Sequence, residues 1–91
     1  MVLSEFLKGK YQEIIYSYLK DHNEQALYQG QKLSRKFIEL HISPEEIISF
    51  HKLIIMEKGF TAQNVLDSFD ILLEVMMGYG LAYREHQSLR I

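Results

Sequence analysis

Residues 61–91 read as one helix with no stop signal, and this segment constrains the fold more than any other. Val65, Phe69, Leu72, Met76, Gly80 and Tyr83 recur at the spacing of a helix face. The stretch after Tyr83 is polar and helix-compatible, and contains neither Gly nor Pro. A helix of this length extends on the order of 40 Å. In a chain of 91 residues, the remaining elements must then be shorter and pack along it. The expectation is an all-α, four-helix bundle whose long C-terminal helix overhangs the rest and leads toward something downstream.

The rest of the chain supplies three further helices. Helix one is expected over 5–21, with Ser4 as N-cap and an apolar stripe of Leu7, Tyr11, Ile14, Ile15 and Tyr18. Helix two is expected over 24–40, capped by Asn23 or Asp21, with Ala26, Gly30, Leu33, Phe37 and Leu40 in its stripe. Ser43-Pro44-Glu45-Glu46 is a capping box with proline at the first helical position. It opens helix three, which continues through Ile47, Ile48, His51, Ile54 and Ile55 to about Lys58, with Gly59 suited to the position just beyond. Thr61 caps helix four, which runs to about Arg90. The short loops predict antiparallel neighbours.

Composition narrows the function. The chain is 47 % hydrophobic, has one Pro and five Gly, and carries a net charge of −2 with no basic run. That argues against nucleic-acid binding, which needs a cationic footprint. No cysteine is present, so thiol chemistry and disulfides are excluded. There is no signal-peptide pattern, and no apolar run exceeds four residues, so no membrane association is expected. The expected location is the cytoplasm.

Catalytic and metal chemistry find little footing. His22, His41, His51 and His86 are scattered, and no pair has the spacing of a helical metal site. His51, on an apolar face, reads as a core or interface histidine. Asp67, Asp70 and Glu74 share a face of helix four. They suit a solvated acidic surface or a basic partner, and less well a cation, which needs ligands from more than one surface. Gly78-Tyr79-Gly80 lies within a helical pattern and follows no strand, so it serves close helix approach rather than phosphate binding. No catalytic residue, metal, cofactor or small-molecule ligand is expected.

Some apolar residues fall away from the stripes. On helix four Leu66, Leu73 and Met77 lie about 80–120° from the stripe centre. On helix two Tyr28 faces away from the core beside Glu24 and Arg35, and Leu27 and Ile38 lie on a flank. These residues fit either a wide core face or a helical docking surface with Tyr and Met as anchors. Leu27, Ile38 and parts of helix one also suit burial in a homodimer.

Three stretches carry a family resemblance. Leu27-Tyr28-Gln29-Gly30-Gln31-Lys32-Leu33-Ser34-Arg35-Lys36, Ser43-Pro44-Glu45-Glu46-Ile47-Ile48-Ser49, and the run from Leu73 through Gly78-Tyr79-Gly80 to Gln87 resemble the amino-terminal domain of RsbU phosphatases. These are PP2C-type serine phosphatases of the sigma-B stress response. The resemblance covers essentially the whole chain. It implies an all-helical homodimer that binds RsbT, a kinase-like switch protein, and stimulates a carboxy-terminal phosphatase domain acting on phosphorylated RsbV. It assigns partner contact to Glu24, Tyr28, Leu73 and Met77. On this reading residues 1–84 form the binding domain and 85–91 begin a helical linker to an absent phosphatase domain. A purely structural homodimerisation module is the alternative.

Overall fold

Local chemistry at the chain breaks sets four helices, which a computed structural model describes over residues 3–88, with side chains over 5–85. They are α1 (Leu3–Asp21), α2 (Glu24–Glu39), α3 (Pro44–Lys58) and α4 (Ala62–Ser88). The last is the longest, at 27 residues. The expected continuation of α4 to Arg90 lies outside the described residues.

Each break has its own cause. Ser4, expected just before α1, falls within its first turn. Asn23 caps α2 by accepting from the Ala26 N–H at 2.8 Å. The capping box forms as its sequence dictates: Ser43 Oγ accepts from the Glu46 N–H, and the Glu46 carboxylate accepts from the Ser43 N–H. Gly59 ends α3 in the left-handed region, at φ 59°. Thr61 Oγ1 accepts from the Asn64 N–H at 3.1 Å.

The end of α2 carries a signal that the sequence hides. The Ile42 N–H donates to the Phe37 carbonyl at 2.8 Å and the His41 N–H to the Ile38 carbonyl at 3.0 Å. This is the Schellman pattern, with buried Ile42 packing near Phe37. Its left-handed residue is His41, at φ 57°, where glycine is usual. A side chain there costs about 1–2 kcal/mol. The change His41→Gly is therefore expected to raise stability by up to about 1 kcal/mol, after the extra entropy of glycine in the unfolded chain is subtracted. Urea unfolding checks this.

The core draws on every helix. Leu7, Tyr11, Ile15 and Tyr18 of α1 meet Ala26, Leu33 and Phe37 of α2, Ile47 and Ile54 of α3, and Ile71 and Val75 of α4. The expected stripes of α1 and α2 match this closely. Leu40, expected inside, lies at the surface, as does Ile48 of α3.

α2 packs most intimately on α4 and not on its sequence neighbour α3. Gly30 faces Ile71 and Val75, Ser34 faces Gly78, and Arg35 reaches Glu85, so α2 and α4 run parallel. Small residues permit this approach. A Cβ on Gly78 would collide with the Ser34 side chain and stand 3.2 Å from the Gln31 carbonyl oxygen.

This packing corrects the expected face of α4. The buried line is Ser68, Ile71, Val75 and Ala82. Val65, Leu72 and Met76 are half-buried on a flank, whereas Phe69 and Tyr83 are exposed. Small residues on the inner side let α2 come close, so the bulkier stripe is displaced outward.

One polar chain threads the core. Tyr11, His51 and Ser68, from three helices, are all at most 2 % exposed. The Ser68 hydroxyl donates to the Val65 carbonyl at 2.7 Å, which uses its only hydrogen. Ser68 Oγ must then accept from His51 Nε2–H, at 2.9 Å. That leaves Nδ1 as an acceptor for the Tyr11 hydroxyl, at 2.7 Å. One histidine tautomer thus satisfies all three groups, and burial holds the His51 pKa down at about 4. No buried side-chain nitrogen or oxygen lacks a partner among the described residues.

Candidate functional site

The inward turn of α4 determines what it shows to solvent. At 100° per residue, Leu66, Leu73 and Met77 cluster within about 40° of one another, nearly opposite Ile71, Val75 and Ala82. With Leu81, they are 58–61 % exposed. Phe69 borders the same face. From Leu66 to Leu81 the strip extends about 22 Å along the helix. Single exposed apolar residues are ordinary, but four along one face of a helix, three of them in successive turns from Leu73 to Leu81, mark an interaction surface.

α2 borders this strip. The seam between the two helices is bridged by Gln31, which donates to Glu74 at 2.6 Å, and by the Arg35–Glu85 pair at 3.2 Å. Glu24 and Tyr28 lie on the outward side of α2, with Tyr28 54 % exposed. The Lys32 ammonium stands 5.3 Å from the Tyr28 ring centroid, which restrains the ring without covering it. Leu73 and Met77 thus occupy the outward face of α4, and Glu24 and Tyr28 that of its adjoining helix. Leu81 carries no signal of exposure in the sequence. Phe69 reads as core by its spacing, and the small residues Ser68, Gly78 and Ala82 are the signal that would have corrected this.

The acidic residues of α4 do not converge. Asp67 accepts from His22 Nε2 at 3.1 Å and from Gln63 at 2.9 Å. Asp70 accepts from the Tyr18 hydroxyl, which pushes the Tyr18 pKa up to about 12. Glu74 serves Gln31. These carboxylates tie α4 to α1 and α2, and no group of three potential metal ligands is assembled among the described residues. Tyr79 adds another tie, donating to the Ile42 carbonyl at 3.2 Å. Leu27, expected on a dimer flank, packs half-buried against the core. No described helix is long and apolar enough to cross a membrane.

Comparison with known proteins gives a consistent result. Residues 9–82 match the family described as phosphoserine phosphatase RsbU, N-terminal domain. The chain is 45 % identical over 91 residues to phosphoserine phosphatase RsbU of Bacillus subtilis (strain 168). That match covers 99 % of the chain and 27 % of the Bacillus protein, so the chain spans about a quarter of its relative's length. No solved structure gives a significant match.

Proposed function

The chain belongs to the family of RsbU N-terminal domains, and we propose that it is the regulatory input module of a sigma-B-pathway serine phosphatase in the cytoplasm. It binds an RsbT-like switch kinase through Tyr28, Leu73 and Met77, with Glu24 beside them. Binding is passed along α4 to a phosphatase domain acting on phosphorylated RsbV. The observation that carries this reading is the exposed strip on the longest helix, turned away from the core and bordered by Tyr28. Residues 1–84 are the binding domain, and residues 85–91 begin the connection to the phosphatase domain. The module works as a homodimer, as the family resemblance implies.

Tyr28→Glu and Met77→Glu are expected to weaken binding of an RsbT-like kinase by about 2 kcal/mol or more each, roughly thirtyfold, as hot-spot anchors do. Both side chains are more than half exposed. Folding stability should therefore change by no more than about 0.5 kcal/mol. Titration calorimetry and urea unfolding, run on the same variants, separate the two effects. Unchanged affinity in both folded variants would remove these residues from the site.

The exposed strip also suits a second copy of the chain, which favours the structural dimerisation reading. Sedimentation with and without the kinase distinguishes them. A tight dimer with no kinase binding selects the structural role.

A further inference from the structure

A second surface lies on the other side of α2, away from its seam with α4. There α1 and α2 enclose an open groove of about 450 Å³. Buried Leu7 and Leu33 form its floor, with Phe6, Ile14 and Leu40 along the sides. Its rim is cationic: Lys10 on α1, and Lys32 and Lys36 one turn apart on α2. None of the described residues lining it is acidic, although the whole chain carries a net charge of −2.

The rim charges are weakly committed. The Lys10 ammonium stands 5.7 Å from the Phe6 ring centroid, and that of Lys32 lies over Tyr28. Lys36 meets the neighbouring Glu39 at 3.6 Å, with both side chains more than 60 % exposed, a type of pair that contributes little. The α2 side of the groove extends from Gln29 to Leu40, about 16 Å or three helical turns.

We propose that this groove docks an acidic amphipathic helix of a protein partner, with two or three apolar side chains on the floor and flanking carboxylates against Lys10, Lys32 and Lys36. Three features select this occupant. An open groove three turns long fits the apolar stripe of a helix. Three cations spread over both rims exceed what a single carboxylate head group can use. A two-fold contact pairing this groove with its own copy would bring two lysine-rimmed faces together, which is unfavourable. The groove lies apart from the strip on α4, and Lys32, over Tyr28, stands between the two surfaces.

The test uses two fluorescein-labelled 15-residue helical peptides with the same leucine stripe. One carries glutamates on both flanks, the other lysines. Fluorescence anisotropy against the whole chain should show the acidic peptide binding at least tenfold more tightly, with affinity falling as salt rises. The Lys10→Glu/Lys36→Glu double variant should invert that preference while its circular dichroism and thermal midpoint stay the same. Equal binding of both peptides, or a preference that the double variant leaves intact, overturns the proposal. So does dodecanoate displacing the acidic peptide from the unaltered chain but not binding the variant, which assigns the groove to a small amphiphile. Self-association abolished by the double variant would likewise overturn it in favour of a second copy.

Discussion

Replacing His51 with alanine should cost about 4 kcal/mol of folding stability, a large part of the roughly 5–14 kcal/mol available to a domain this size. Two losses combine. The aromatic ring fills space against Tyr11 and stacks on Phe69, with centroids 5.3 Å apart. Its removal also leaves the Tyr11 hydroxyl without its acceptor in a fully buried position. An orphaned buried polar group costs about 1–3 kcal/mol. Urea unfolding at pH 7.5 measures the sum. A loss under 1 kcal/mol would mean that the site refills or that the polar chain contributes little.

The same residue predicts a pH dependence. Burial lowers the folded-state pKa of His51 to about 4, from an ordinary 6.5. Above pH 6.5 the ring is neutral in both states and its contribution is complete. As pH falls below 6.5 the unfolded chain takes up a proton that the folded chain refuses, so stability declines until the folded ring also protonates near pH 4. At about 1.4 kcal/mol per pKa unit, the loss over that window approaches 3 kcal/mol. Other groups titrate in the same range, so the measurement compares the chain with His51→Gln. The difference between the two curves should bend between pH 6.5 and 4 and flatten outside. Parallel curves would show that His51 titrates normally in the fold.

Gly78→Val is the second large effect, with an expected loss of about 3 kcal/mol. A branched side chain at this point must displace Ser34 and crowd the Gln31 carbonyl, and overpacking of this kind costs about 1–3 kcal/mol. Gly78→Ala sets two effects against each other. Alanine is favoured over glycine by about 1 kcal/mol in a helix, and the collision outweighs this gain, so a smaller net loss is expected. Gly80 supplies the control. A Cβ there has open space, so Gly80→Ala should gain up to about 1 kcal/mol. Thermal unfolding of the three variants should rank Gly80→Ala above the unaltered chain and Gly78→Val lowest. A neutral Gly78→Val would mean that α2 and α4 tolerate separation.

Much of this fold is legible one residue at a time where its cause is local. The capping box at Ser43, the left-handed Gly59 and the Thr61 cap depend on neighbours within four positions, so their residue types suffice. His41 hides a terminus of the same kind because nothing in a histidine announces positive φ. The inner face of α4 is misread for a different reason. Hydrophobic mass points toward Phe69 and Met76, but the buried line is set by which side α2 can approach, and Ser68, Gly78 and Ala82 mark it by being small. The error is about 100°, one residue's step around the helix. Tyr28, Leu73 and Met77 stand out in the sequence because they fall off the stripes, and the corrected face leaves them more exposed. Glu24 has no such signal, since an acidic first-turn residue is ordinary at any helix start, and only the family resemblance singles it out.

The contact of Gly78 with Ser34 also has a mechanical consequence. Two parallel rods in close contact at Gly78–Ser34 and at Gly30 against Ile71 and Val75 have little room to slide past each other, so they move as one beam. A load applied to either rod is carried by both. A partner pressing on α2 alone would then tilt α4, and over a beam of about 40 Å a few degrees at the near end become several ångströms at the far one.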